Sequence, residues 1–134
     1  MCGIVGYNGS LQAAPILLDG LSKLEYRGYD SAGLCVRNKD NNAEIVKAKG
    51  RLKALSAKTN AGKALKGTCG IGHTRWATHG EPSENNAHPH QSDDGNVIAV
   101  HNGIIENYTE IKDKLIKKGY KFYSETDTEA LVIA

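Results

Sequence analysis

Between Arg75 and Asn96 the chain passes through a long polar stretch rich in His, Pro, Asn, Asp and Gly, with neither a helical nor a strand period. Loops of that length without secondary structure are uncommon in compact domains and are often functional. The core therefore has to be assembled from patterned segments on either side. Ahead of the stretch, Cys2 to Tyr7 is a short apolar run punctuated by glycine, which predicts a buried strand. A helix is expected over about Leu11 to Tyr26, where Ala14, Leu17, Leu18, Leu21 and Leu24 keep the i, i+3, i+4, i+7 spacing. Pro15 must lie in its first turn, where a missing N–H does no harm. Ser31 to Arg37 and Ala43 to Lys49 read as a hairpin around a polar turn. Arg51 to about Ser56 predicts a short helix, Lys58 to Lys66 a loop or frayed helix end, and Cys69 to Thr74 another strand.

Behind the polar stretch, Val97 to His101 is continuously apolar, which suggests a strand buried on both faces. Asn107 with Glu110 makes a capping-box-like start to a helix whose Tyr108, Ile111 and Leu115 face inward and which Gly119 ends. Lys121 to Tyr123 predicts a short strand, and Thr126-Asp127-Thr128-Glu129 the start of a last helix. The sequence stops at Ala134 within that apolar helix, which leads to the expectation of a shortened domain.

With 134 residues and a net charge of +2, the chain suits one domain or a piece of a larger one. Its basic residues are scattered apart from Lys112, Lys114, Lys117 and Lys118, which read as a solvated helix face, so no nucleic-acid partner is expected. No apolar run is long enough to span a bilayer and no secretory leader is evident, so no membrane partner is expected. Cys2, Cys35 and Cys69 form no close-spaced pair, which argues against a disulfide framework and for a reducing, cytoplasmic setting.

Cys2 follows the initiator Met directly. Removal of Met1 would leave a free α-amine, of pKa about 7.7–8.0, beside the residue's own thiol. That amine could take the thiol proton, directly or through a water, as N-terminal nucleophiles do. Position alone favours a small buried cysteine, and the rest of the sequence reverses that balance. Residues 2–7 read Cys-Gly-Ile-Val-Gly-Tyr, and residues 25–33 read Glu-Tyr-Arg-Gly-Tyr-Asp-Ser-Ala-Gly. Residues 73–90 read His-Thr-Arg-Trp-Ala-Thr-His-Gly-Glu-Pro-Ser-Glu-Asn-Asn-Ala-His-Pro-His. Residues 100–107 read Val-His-Asn-Gly-Ile-Ile-Glu-Asn, and residues 124–129 Ser-Glu-Thr-Asp-Thr-Glu. In this order the blocks resemble the class II glutamine amidotransferases. Within that family they are most similar to the hexosamine-forming branch, through the segments Arg27 to Gly33 and Thr74 to Gly80. Asparagine synthetase and the purine-pathway amidotransferase share the Cys start and an Asn-Gly pair but differ in those two segments.

The resemblance implies an α/β (α+β) N-terminal-nucleophile hydrolase fold: a four-layer αββα sandwich of two mainly antiparallel sheets. Residues 1–134 would form the front part of the glutaminase domain, with the sugar isomerase domain absent. It implies an enzyme that uses no metal or other cofactor here. Glutamine would be hydrolysed to glutamate and ammonia through a Cys2 thioester. The ammonia would pass to fructose 6-phosphate, bound only by the absent domain, in a homodimeric parent. Asn102 (side-chain amide) and Gly103 (backbone N–H) resemble the oxyanion hole, where losing one donor typically costs on the order of 10²–10³ in rate. Taken alone, Asn102-Gly103 reads as a plain turn. Arg75 resembles the residue that grips the substrate α-carboxylate, a task suited to a bidentate guanidinium. Asp127 resembles the partner of the α-ammonium, and could equally cap the last helix. Trp76, Thr78 and His79 would line a loop closing over the substrate, with His88 helping to set it. Arg27 would sit near the N-terminal amine, favouring thiolate and neutral amine, or else pair with Asp30.

The histidines between His73 and His101 invite a metal reading through His79, His88 and His90. No His-x-x-x-His helix pair or Cys-x-x-Cys is present, and the segment reads as polar loop histidines instead. A second function reading, of a different class, is a catalytically silent, self-associating piece. A shortened domain exposes edges and apolar faces, and a retained Met1 would move the free amine one residue away, about 3.8 Å by Cα spacing.

Overall fold

The computed structural model describes residues 2–27, 29–77 and 80–134. Strand β1 (Gly3–Asn8), helix α1 (Ala13–Leu24), strands β2 (Ser31–Arg37) and β3 (Ala43–Lys49), helix α2 (Leu52–Lys58) and strand β4 (Cys69–Arg75) come first. Strands β5 (His90–Gln91) and β6 (Ile98–Ala99) and helices α3 (Tyr108–Lys117) and α4 (Asp127–Ile133) follow. A four-stranded antiparallel sheet has the order β1-β4-β2-β3, and β5 and β6 form a second, antiparallel pair.

Alternation along β4 decides what lies on each side of the first sheet. A Cβ at Gly70 would touch Leu17, and one at Gly72 would touch Leu21, so this face carries α1 at close range. Leu17, Leu21, Leu34 and Leu55 are fully buried there, each contributing about 1.5–3 kcal/mol of transfer free energy. Ile71, His73 and Arg75 belong to the opposite face. On that face Gly33, paired with His73, lies so close to the carbonyl oxygen of His88 that a Cβ would collide with it. The second layer is thus seated directly on the sheet. Helices α3 and α4 cover it from outside, packing Leu115, Val132 and Ile133 with Ala99, Ile111 and Phe122. The fold is α+β, layered helix, sheet, sheet, helix.

Long-range hydrogen bonds close the helix ends. The Ala13 N–H donates to the Gly67 carbonyl at 2.8 Å, and the Gln12 side chain accepts the Gly67 N–H at 3.0 Å. The Glu25 carboxylate accepts the Leu52 N–H at 2.7 Å and so caps α2 from another element. Helix α3 ends in a Schellman motif, with Gly119 at φ +96° and the Tyr120 N–H donating to Leu115 at 3.1 Å.

Several expectations are corrected. Strand β1 is an edge, not a buried strand, with Ile4 42% exposed, because β4 is its sole neighbour in the sheet. The long polar stretch holds β5 and a turn at residues 92–97, in which Asp94 accepts the Ser92 hydroxyl and the Asn96 N–H. Strand β6 is only two residues long, and Val97 is 53% exposed, because its partner β5 is equally short. Residues 121–123 form no strand: the Tyr123 N–H donates to the Glu129 carboxylate at 2.8 Å in place of a ladder. Asn107 precedes α3 without a side-chain cap, and Glu110 pairs with Lys114 at 2.6 Å.

Gly33→Ala should therefore destabilise the protein by about 1–3 kcal/mol through overpacking and loosen the segment around His88. Urea unfolding together with limited proteolysis of residues 80–96 tests this; unchanged stability and cleavage would contradict it.

Candidate active site

The β1–β4 register pairs Gly3 with Thr74 and so brings Cys2 beside the residues that follow β4. The Trp76 N–H donates to Cys2 Sγ at 3.3 Å, and Sγ lies 3.7 Å from the Trp76 carbonyl oxygen. Cys2 is half-buried, whereas Cys35 is buried and its thiol is pushed up to about 11 by that burial. Cys69 is exposed at the opposite end of β4, about 20 Å of strand away. Cys2 opens into a cleft with acid, base and amide neighbours: Arg75, Trp76, His88, Asn102 and Asp127 share its lining.

Asn102 reaches Cys2 from the second layer. Its Nδ2 donates to the Cys2 carbonyl at 3.1 Å, and its Oδ1 lies 2.7 Å from His73 Nε2. Gly103 follows at φ +156°, and a Cβ there would meet the His101 ring at 3.0 Å. The loop is then tied down by Asp127, whose carboxylate accepts the Ile105 N–H at 2.7 Å. Thr126, not Asp127, occupies the cap position of α4, with Asp127 the first helical residue. Arg75 ends β4 only 4% exposed, and its two terminal nitrogens donate to the Gly80 and Glu81 carbonyls at 3.1 Å each. Trp76 packs edge-on to Tyr29, with ring centroids 5.2 Å apart. The cleft has a volume of about 40 Å³; larger grooves of about 450 Å³ and about 420 Å³ lie on β3 and between α1 and α2, away from Cys2.

His73, His88 and His90 are buried rather than solvated loop residues, which corrects the expectation for His88 and His90, while His79 lies outside the described residues. His73 and His90 are fully buried and His88 is 6% exposed. The His73 and His88 rings stack at 4.1 Å, and His90 packs edge-on to His88 at 4.7 Å. His90 Nδ1 lies 2.9 Å from the Tyr123 hydroxyl and Nε2 2.8 Å from that of Thr126. The rings meet by their faces and edges rather than converging their nitrogens. Among the described residues no group of His, Cys, Asp or Glu is arranged to hold a metal ion. Burial lowers His73 to about 4 and His90 to about 3, and it lowers His88 as well. His88 lines the cleft and stacks on His73.

Residues 35–134 match the family described as the glutamine amidotransferase domain. The chain belongs to that family. It is 60% identical over 131 residues to the glutamine–fructose-6-phosphate aminotransferase (isomerizing) of Clostridium tetani, covering 98% of this chain and 21% of that protein. The same identity and coverage hold for the protein of that name from Caldanaerobacter subterraneus. The chain thus spans about a fifth of the length of these relatives. Among solved structures it is similar to the glutamine phosphoribosylpyrophosphate amidotransferase from B. subtilis, at TM-score 0.81 and 28% identity, covering 98% of this chain and 28% of that one.

Within this amidotransferase domain the structure gathers Cys2, Arg75, Trp76, His88, Asn102, Gly103 and Asp127 around one cleft. Arg27 does not line it; it lies on a 3-10 turn that packs against β4. The Asp30 carboxylate accepts the Ser31 hydroxyl at 3.0 Å and also the Ala77 N–H. Thr78 and His79 lie outside the described residues. His73, His101, Thr126 and Thr128 were not singled out from sequence. The last three line the cleft, and His73 bonds to Asn102. Alternation could have found His73, two residues before Arg75 on one strand and hence on the same face.

Between pH 6.5 and the lowered values above, these imidazoles bind protons in the unfolded chain but not in the fold. Their contribution is therefore intact above about pH 6.5 and lost as the pH falls, by about 1.4 kcal/mol per pH unit for each histidine. Urea unfolding between about pH 7 and about pH 5 should show a falling midpoint, steeper than one histidine explains; a constant midpoint would contradict the buried neutral stack.

Proposed function

We propose that this chain is the front part of a glutaminase domain that hydrolyses glutamine to glutamate and ammonia, with Cys2 as nucleophile. The observation that carries this reading is Cys2 Sγ held by the Trp76 N–H beside the amide of Asn102. After loss of Met1, the α-amine of Cys2 would take the thiol proton and Sγ would add to the side-chain amide carbon of glutamine. The Asn102 amide and the Gly103 N–H would stabilise the oxyanion. Collapse would expel ammonia, carrying the proton taken by the amine, and leave a thioester. Water would then attack the thioester, giving glutamate and restoring the thiol. Arg75 would bind the α-carboxylate and Asp127 the α-ammonium, a charge pair that selects the free amino acid over a peptide-bound glutamine. Trp76, with Thr78, His79 and the supporting His88, would close over the bound substrate. Arg27 would favour the neutral amine and the thiolate.

The relatives named for glutamine–fructose-6-phosphate amino transfer extend the reading. In a longer, homodimeric, cytoplasmic enzyme, the ammonia would convert fructose 6-phosphate to glucosamine 6-phosphate in a second domain. A second reading, a silent self-associating piece, is favoured by Ile104 at 77% and Leu131 at 49% exposure. Concentration-dependent sedimentation without glutaminase activity would support it over the first.

A diazoketone glutamine analogue followed by intact mass measurement decides the nucleophile. Protein lacking Met1 should gain one adduct on Cys2, and protein retaining Met1 should gain none. In the complete domain, Cys2→Ala should abolish turnover without unfolding the protein, and residual turnover near wild type would refute the assignment. Arg75→Lys should weaken glutamine binding by on the order of tenfold or more, since a bidentate contact is lost; an unchanged KM would remove Arg75 from the carboxylate site.

A further inference from the structure

We propose that His73 is a positioning residue: its imidazole fixes which way round the Asn102 amide sits, and so whether N–H or oxygen faces the developing oxyanion. The proposal deepens the glutaminase reading and rests on it. The two ends of an asparagine amide are nearly equal in size, so packing alone selects poorly between orientations that differ by a half-turn. Only one of them donates. Asn102 Oδ1 lies 2.7 Å from His73 Nε2, and Nδ2 donates to the Cys2 carbonyl at 3.1 Å. Nδ2 carries two hydrogens, so one bond to Cys2 leaves the other for the oxyanion.

The orientation depends on the tautomer of His73. A neutral imidazole has one N–H, and whichever nitrogen carries it must find an acceptor or be left unsatisfied at a cost of about 1–3 kcal/mol. His73 Nδ1 is buried with no hydrogen-bond partner, whereas Nε2 faces the Asn102 oxygen. The tautomer that satisfies the donor through Asn102 is therefore the one with the proton on Nε2, with the His101 backbone the other polar group at the ring. The opposite tautomer would accept from Asn102 and turn the amide oxygen against the Cys2 carbonyl, which can only accept, so the Nε2–H of His73 and the Cys2 carbonyl hold the same orientation from its two ends. The His88 ring, stacked 4.1 Å away at 21°, holds the His73 plane so that Nε2 stays aimed. His73 does not line the cleft, so it acts through Asn102 and not on substrate.

The test uses the enzyme containing the complete domain, freed of Met1, with glutamine turnover and Cys2 alkylation by iodoacetamide measured in parallel. Alkylation forms the S–C bond and releases iodide without any oxyanion, so it reports an intact Cys2 but not the oxyanion site. His73→Leu should lower kcat by on the order of a hundredfold, with KM and alkylation rate changed less than about threefold. His73→Gln, which returns an N–H close to the Nε2 position, should recover kcat to within about tenfold. Nitrogen-15 spectroscopy at neutral pH should show the Nε2–H tautomer of His73, independently of activity. Unchanged kcat in His73→Leu, an equal fall in alkylation and kcat, a His73→Gln variant as slow as His73→Leu, or an Nδ1–H tautomer would each overturn the proposal. Wild-type protein that cannot hydrolyse glutamine, or Cys2→Ala that can, would instead overturn the glutaminase reading.

Discussion

The antiparallel register of β1 on β4 is the constraint from which the cleft follows. Pairing Gly3 with Thr74 sets Cys2 against Trp76, and the last β4 residues then place Arg75 on the inner face and the Trp76 N–H against the sulfur. Side chains alternate with a period of two, so a slip by one residue would turn His73 and Arg75 toward α1 and aim glycines at the second layer. The register is held because α1 accepts only one face of β4. Leu17 and Leu21 occupy the space above Gly70 and Gly72, where no larger side chain fits without displacement. The apolar packing of α1 on one side of the sheet therefore determines the position of the polar chemistry on the other.

That polar face is costly to bury, and its composition reflects how the cost is offset. Three imidazoles, a guanidinium and the Glu129 carboxylate are removed from water between the layers. Neutral histidine carries a smaller desolvation penalty than a charged group. His90 satisfies both nitrogens with hydroxyls. Glu129, fully buried, accepts the Tyr123 N–H, the Ser124 N–H and the Ser124 hydroxyl at 2.6–2.8 Å. Where the bonds are complete, at His90 and Glu129, they also hold the ring and the carboxylate in one geometry, whereas the Nδ1 atoms of His73 and His88 are buried without a partner.

Elements whose signal is local were legible in the sequence. The β2–β3 hairpin lies on Ser31–Arg37 and Ala43–Lys49 as the alternation and polar turn require, and α1 follows its leucine stripe. Gly119 ends α3 because only a left-handed residue closes that turn easily. The failures were non-local. Residues 121–123 have strand composition, but Glu129, six residues beyond Tyr123, claims its N–H. Val97 to His101 looks buried on both faces, but its neighbour β5 is too short to extend the ladder. The candidate residues came from the resemblance of whole blocks, and Cys2, Arg75, Trp76, His88, Asn102, Gly103 and Asp127 among them line one cleft. Thr126 and Thr128 escaped because their contribution lies in what they touch, which no spacing announces, whereas His73 shares the face of Arg75 by strand alternation.

The loop that follows β6 is held at two points by different chemistry. At one end, the Asn102 amide is fastened between His73 on β4 and the Cys2 backbone on β1. At the other, the Ile105 N–H is fastened to Asp127 at the start of α4. Gly103 lies between them at φ +156°, a conformation that side chains rarely adopt. Two anchors flanking an unusual backbone angle leave the loop little freedom to rotate its N–H groups. One anchor comes from the first sheet and the other from the outer helix layer, so the loop is placed only when both halves of the sandwich are packed together. The segment across the cleft from Cys2 therefore depends on tertiary packing, and no local motif of Asn-Gly could supply it.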